Sequence, residues 1–381
     1  GRIGPRRWLL RFPRAVPLAI FLLTLLVIGI SVYAIEKSEV QRETAQLHQT
    51  TMAVATELER RADAHAAYLR AGAALLGYQS RINNASFQRF VDELNLGGDY
   101  RGAEGVGWGP IVPRQDIPAF ERRVSEEYGR RVTVRPTTIP ADQKYVVPML
   151  YVQPANAQNQ GGVGGDMLAT AGNRKGMAAS AAEERPVASD KIILTEGPST
   201  GEAWFIVFMP VFEPGAGHKV LRGFIASAFN GQSFLNSALH KEPLGAYGIR
   251  LYDRSVEPAN LMAEVNTTAR GGITVVRNVT VAAHPWVLEV RAPQRHMLSQ
   301  LSVLTLISGL LIASLLMVVA RLLTQQAVED RQALAWLGQQ NSIRASLTRE
   351  LNHRVKNTLA NVLSLIALTR RRATDLDSFV E

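Results

Sequence analysis

Two runs without a charged residue divide the chain: Ala15 to Ile35, AVPLAIFLLTLLVIGISVYAI, and Met297 to Ala320, MLSQLSVLTLISGLLIASLLMVVA. Each reaches the roughly 20 apolar residues that a helix needs to cross a bilayer core, so both are predicted to span a membrane. The first run exceeds the roughly 7–15 residues of a signal-peptide core, which favours an uncleaved anchor. From Glu36 to Tyr78 there is no proline, and Leu47, Met52, Val54, Leu58, Tyr68, Leu69 and Leu75 recur at helical spacing, predicting one long helix leaving the membrane. Beyond Tyr78 the period switches repeatedly. Helical runs such as SFQRFVDEL and DIPAFERRVSEEY alternate with β-branched and aromatic runs such as VVPMLYV, AWFIVFMPVF, RGFIASAF, AYGIRLY and ITVVRNVTV. Short Gly/Pro breaks between them predict an α+β fold with antiparallel sheets. After the second run, Leu323, Ala327, Leu334, Leu337, Leu347, Leu351 and Val355 follow a near-heptad seam with a polar break at Asn341, the pattern of a parallel dimeric coiled coil.

Composition narrows the chemistry. The 381 residues are 46% hydrophobic, enough for two or three domains. The absence of cysteine excludes disulfides, thiolate nucleophiles and Cys-ligated metals. Arg2, Arg6, Arg7, Arg11 and Arg14 precede the first span with no acid among them, a positive-inside signal that keeps the N-terminus in the cytoplasm. Two crossings return the C-terminus there. Residues 36–296 carry 28 basic and 27 acidic residues, so most of the overall +9 lies beside the spans. It therefore reads as a topology signal, and nucleic acid is not expected as a partner.

Chemistry-bearing motifs are sparse between the spans. His48, His65, His218, His240, His284 and His296 are scattered singly, without zinc-ligand spacing, and are expected to be structural or surface residues with no metal. The glycine-rich QGGVGGDML, Gln160 to Leu168, lacks the Lys-Ser/Thr of a phosphate loop and is predicted to be a flexible loop. Near the C-terminus, ELNHRVKNTLANVLSLIALTRR places His353 outside an inward row of Leu351, Val355, Leu359, Val362 and Ile366, with Asn357 one turn later on the same face. A neutral imidazole offers a ring nitrogen as nucleophile, an amide can orient an incoming phosphoryl group, and Arg354 and Lys356 add positive charge. A solvated helix carrying one histidine has the same spacing, so geometry leaves both readings open.

Two family resemblances add to these readings. The succession GVGWGPIVPRQDIPAFERRV, YVVPMLYVQP, GGVGGDML, a helix through Ala178 to Glu184, PVASDKIIL, WFIVFMPVF and LRGFIASAF, over about Tyr78 to Leu239, resembles the CHASE domain, an extracytoplasmic sensor. The resemblance implies a long helix followed by two PAS-like sheets, with a small ligand in the membrane-distal one. It points to Asp166 and the neighbourhood of Ala188 as ligand contacts, with Trp108, Tyr145, Val147 and Met149 in the wall. Gly165 stands where a bulky apolar residue is common in the family, so the plant members' ligand does not carry over. ELNHRVKNTLANVLSLIALTRRRATDLDSFVE resembles the phosphoacceptor box of HWE-type histidine kinases. By that resemblance His353 is the phosphorylated residue and Asn357 the family's asparagine. The acid that follows the histidine in the larger kinase group is Arg354 here, which leaves Glu350, a turn earlier, as a candidate base.

Together these readings divide the chain into a cytoplasmic N-terminus (1–14), a first span (15–35), a long helix (36–78), a CHASE sensor (79–296), a second span (297–320), a coiled-coil helix (321–346) and phosphoacceptor helices (347–381). The resemblance implies a homodimer in the lipid of a bacterial inner membrane, with the sensor in the periplasm, an unidentified small molecule as signal and a response regulator as phosphoryl acceptor. ATP and magnesium are expected on a domain outside this chain, which alone is expected to be inactive. The alternative is a receptor whose last helix only binds a signalling partner.

Overall fold

The computed structural model describes residues 15–79, 82–93, 103–154, 161–193, 200–213, 219–239, 246–266, 271–294 and 297–372. Among these residues six α-helices run in chain order: α1 (Ala15–Tyr78), α2 (Asn84–Glu93), α3 (Ile117–Tyr128), α4 (Ala171–Glu183), α5 (Gly231–Leu239) and α6 (Gln300–Arg372). Twelve strands accompany them: β1 (Ala103–Pro110), β2 (Val112–Pro113), β3 (Tyr145–Val146), β4 (Tyr151–Gln153), β5 (Val187–Ala188), β6 (Ile192–Ile193), β7 (Ala203–Glu213), β8 (Val220–Asn230), β9 (Gly248–Asp253), β10 (Leu261–Val265), β11 (Gly271–Val281) and β12 (His284–Pro293). The fold is α+β, as the mixed periodicity predicts. The chain separates into two compact units, residues 1–39 with 298–381, and residues 40–297.

The first unit is helical. Its apolar stretches in α1 and α6 are long and apolar enough to cross a membrane and are almost entirely exposed, a surface that water would not tolerate. Their polar side chains satisfy themselves: the hydroxyls of Thr24, Ser31, Thr305, Ser308 and Ser314 each donate to the carbonyl four residues earlier. The two helices touch where one has no side chain, since a Cβ on Gly309 would lie 2.7 Å from Ile28 Cγ1. Ser299 caps α6 by accepting from Ser302 N–H at 3.1 Å, while the Glu36 carboxylate accepts from Ser299 N–H at 2.8 Å. Beyond the apolar stretch α6 continues unbroken to Arg372, with no break at the expected 320/321 and 346/347 boundaries. Its apolar seam, including Leu334, Leu337, Leu347, Leu351, Val355 and Leu359, is exposed along its length. The expected second phosphoacceptor helix lies outside the described residues.

The second unit holds the sheets, all antiparallel. β4-β1-β8-β7-β5 form one sheet, with β6 also pairing to β7, and β10-β9-β12-β11 form another. The C-terminal part of α1 supports them through Leu47, Val54, Leu58, Ala62, Leu69, Ala73 and Leu76, a helical row of buried residues. Met52 and Leu75, grouped with that row by spacing, are instead 52% and 40% exposed, because they fall on the far side of the helix. Arg222 on β8 donates to the carbonyls of Leu76 at 3.2 Å and Gln79 at 2.6 Å, satisfying acceptors that the end of α1 leaves open. The two larger sheets share one aromatic core. Phe205 of β7 stacks on Phe229 of β8 at 4.8 Å and meets Phe234 of α5 and Trp286 of β12 edge-on at 5.4 and 4.6 Å.

His65 is the titratable member of this core. It lies on α1, 5% exposed, with its ring edge-on to Phe229 at 4.8 Å. Burial, reinforced by Arg61, pushes its pKa down from 6.5 to about 4. The unfolded chain binds a proton there that the folded chain refuses, so stability falls as pH drops from about 6.5 towards 4. The expected loss from pH 7.5 to 4.5 is about 2–3 kcal/mol. Melting His65→Leu beside the parent protein at both pH values should show that much less acid destabilisation in the variant. An unchanged acid loss would show that His65 is not its source.

Candidate functional site

Alternation along β1 gives the first sheet two faces. Trp108 sits opposite Tyr151 and Ile225 in register and joins the core towards α1, where a Cβ on Gly72 would meet Ile225. The neighbouring positions Gly107 and Gly109 point the other way. A Cβ on Gly109 would lie 3.0 Å from Met167 Cε, Val147 Cγ1 and the Pro148 carbonyl, so residues 147–149 and 165–168 can close directly over the strand only because it is bare there. Val147, Met167, Leu168, Met177, Phe208, Phe224 and Ala226 form a second apolar cluster beneath that cover, with Met149 packed against it.

Asp166 anchors the cover. It is 7% exposed; its Oδ1 accepts from Val147 N–H at 2.8 Å and Leu168 N–H at 3.1 Å, and its Oδ2 accepts from Gln143 Nε2 at 2.8 Å. The stretch predicted to be a flexible loop is ordered over residues 161–168: Gly165 and Asp166 bridge to Arg135 and Pro148, and Gly164 adopts φ +88° against the Thr133 carbonyl. Of the residues expected to form the pocket, the structure brings together Asp166, Val147 and Met149. Tyr145 is 38% exposed on the short β3. Trp108 lies on the opposite face of the sheet, and the period-two alternation of β1 is the reason. Ala188 is buried in the main core, and its N–H donates to the Ala282 carbonyl at 2.8 Å, which leaves only its own carbonyl for a ligand.

Three segments also meet where Asp190, Asp253 and His284 converge. Asp253 Oδ1 lies 2.7 Å from His284 Nε2, and Asp190 Oδ1 lies 3.7 Å from the same nitrogen. The trio has the composition of a metal site, but its oxygens already hold donors. Arg254 is bound to Asp190, and Lys191 N–H donates to Asp253 Oδ2 at 2.7 Å. Burial alone would raise the Asp253 carboxyl, but the hydrogen bonds from His284 and Lys191 outweigh it and hold the pKa below the usual value. With the hairpin tip at Ala282, which receives the Ala188 N–H, the trio ties the two large sheets together.

On α6, His353 is exposed, and its Nδ1 lies 3.3 Å from Asn357 Nδ2. As oriented, the Asn357 amide N–H donates to Nδ1, which puts the ring proton on Nε2. With the Asn357 amide flipped so that Oδ1 accepts from Nδ1–H, Nε2 presents a lone pair to solvent. Glu350 Oε1 accepts from Arg354 Nε at 2.9 Å, so the carboxylate expected as a base is held by the arginine one turn on. His353 and Asn357 are thus brought together, while the bond Glu350 makes points it elsewhere.

With this geometry in view, the comparisons fit the chain's layout. Residues 80–263 match the CHASE domain and residues 350–381 match the HWE histidine kinase family. The chain thus carries a region that matches the CHASE domain between two long apolar helices, and the second of these helices runs into a stretch that matches the HWE histidine kinase family. No curated protein matches the chain. Among solved structures, an extracellular ligand-binding receptor from Desulfohalobium retbaense DSM5692 is 12% identical, with a TM-score of 0.40, over 65% of this chain and 40% of that one. The ligand-binding domain of the Pseudomonas aeruginosa amino acid chemoreceptor PctC, in complex with GABA, is 13% identical, with a TM-score of 0.37, over 65% and 98%. That of PctB with L-Gln is 12% identical, with a TM-score of 0.37, over 69% and 98%. Scores of this size carry no inference about the ligand.

Proposed function

We propose that the protein is an inner-membrane sensor histidine kinase in which a small molecule held over Gly107 and Gly109 of β1 controls phosphorylation of His353. What carries this reading is the order of the chain: a CHASE match flanked by two apolar helices, the second running unbroken into the helix that bears the HWE match. A continuous helix passes displacement along its axis without an intervening adaptor. The exposed apolar seam of α6 supports a homodimer, since a second copy of the same seam would bury it.

The ligand's place is between the first sheet and its cover. Met167 and Met177 fill that space now, and unbranched thioether side chains give way to a guest at low cost. The walls are otherwise aliphatic and aromatic, so the ligand is small and largely apolar, with a hydrogen-bond donor for Asp166. At the other end, Nε2 of His353 attacks the γ-phosphorus of ATP. The P–N bond forms as the bond to the β-bridging oxygen breaks, ADP leaves, and the imidazolium loses its Nδ1 proton through Asn357 to water. ATP and magnesium are held by a separate nucleotide-binding domain, and a response regulator aspartate takes the phosphoryl group.

Asp166 also dictates how the sensor end is tested. Asp166→Ala strands two buried backbone N–H groups and the Gln143 amide, and is expected to cost about 2–4 kcal/mol of stability. Asp166→Asn keeps the Oδ1 acceptor and should cost less than half as much. Screening metabolites by melting shift on the parent protein, then on Asp166→Asn, should find a stabilising ligand whose shift largely disappears in the variant. An undiminished shift in a well-folded Asp166→Asn protein would place the ligand elsewhere.

A further inference from the structure

His353 divides the face of α6 that looks away from the apolar seam. At about 100° per residue, Glu350 and Asn357 stand about 60° and 40° to one side of it, and Arg349 and Lys356 about 40° and 60° to the other. The first flank is closed. Glu350 Oε1 accepts from Arg354 Nε at 2.9 Å, and the Asn357 amide meets His353 Nδ1 at 3.3 Å. Arg354, one of the two cations that the sequence offers beside the histidine, is thereby bound to a carboxylate. The second flank is open. Arg349 and Lys356 are exposed like His353; Arg349 Nε donates to the Ala345 carbonyl of its own helix at 3.3 Å, and Lys356 has no ion pair among the described residues.

Residues three or four apart on a helix have Cβ atoms about 5–6 Å apart, a gap that the stems of lysine and arginine span. With Nδ1 turned to Asn357, Nε2 is the free nitrogen of the ring, and a phosphoryl group on it lies within reach of both cationic heads. We infer that Arg349 and Lys356 are catalytic residues of the phosphoryl transfer, holding the equatorial oxygens of the group as it passes to Nε2. This rests on the reading of His353 as the phosphoacceptor. The lone pair of Nε2 forms the P–N bond while the bond to the β,γ-bridging oxygen breaks and its electrons leave with ADP. Both cations keep their protons throughout. Their charge offsets that of the equatorial oxygens, over which the transition-state charge is spread.

The test offers the full chain in nanodiscs two phosphoryl donors. One is ATP and magnesium with a separately supplied HWE-type catalytic domain. The other is phosphoramidate alone, whose P–N bond breaks to release ammonia as Nε2 takes its phosphoryl group. Label at His353 is followed by mass spectrometry. Lys356→Met and Arg349→Met keep an unbranched stem and the helix propensity. Each should slow labelling from both donors at least about tenfold, below the roughly 100–1000-fold of losing a fully preorganised donor. Lys356→Arg should recover most of the rate. Arg331→Met removes the same charge at an exposed position about 33 Å away along the helix and should leave the rate unchanged. Slowing with ATP but not with phosphoramidate would assign the cations to docking of the catalytic domain and overturn the inference, as would unchanged labelling in the helical variants or equal slowing by Arg331→Met. A parent protein that takes no label at His353 from either donor would overturn the phosphoacceptor reading beneath it as well.

Discussion

Replacing Phe205 with alanine is expected to cost about 3–5 kcal/mol, the usual range for removing a fully buried phenylalanine. Phe205 is 1% exposed and touches Phe229, Phe234 and Trp286, which belong to β8, α5 and β12. Its loss therefore opens a cavity shared by both large sheets and the helix between them. For a unit of this size the melting temperature should fall by roughly 10–15 °C. Tyr145→Ala, at a half-exposed position on β3, is the matched control and should melt within about 0.5 kcal/mol of the parent. Equal melting of the two variants would mean that the aromatic core does not join the sheets.

His353→Gln is expected to eliminate phosphorylation. Assayed with a separately supplied HWE-type catalytic domain, ATP and magnesium, the parent protein should acquire a label that is labile in acid and stable in base, as a phosphoramidate is. The variant should acquire none, because glutamine offers no ring nitrogen. The helix itself should be unaffected, since His353 is exposed and its only described side-chain contact is Asn357. Asn357→Ala should retain the label but slow its appearance by about 100-fold or more, the scale of losing one proton-handling group. Full labelling of His353→Gln would leave the histidine as a solvated helix residue.

Much of this was legible from hydrophobic spacing because burial enforces it. The two uncharged runs and the row Leu47, Val54, Leu58 and Leu69 announce themselves by apolar length and helical spacing, and the strands β7, β8 and β11 by their β-branched and aromatic residues. β1 does not, since Gly105, Gly107 and Gly109 have low strand propensity and hold their place only through the cover packed on them. VVPMLYV reads as one strand but forms β3 and β4 with Pro148 between them, as proline cannot donate to a ladder. The CHASE resemblance pointed to Asp166 but not to Gln143, its partner 23 residues away. It missed the Asp190–Asp253–His284 tie altogether, because the tie is assembled from segments that only the sheet pairing brings together. The misplacement of Trp108 had a readable signal: it alternates with Gly107 and Gly109, so it could not share their face.

The central claim is that a sensor on one side of a membrane is joined by α6 to a phosphoacceptor on the other. The chain has no cysteine, so single cysteines report without background. Asp142 in the sensor and Gln339 on α6 are both exposed. In intact cells a membrane-impermeant maleimide should label Asp142→Cys, and should label Gln339→Cys only after the membrane is opened. Labelling of both in intact cells, or of Gln339→Cys alone, would contradict the account.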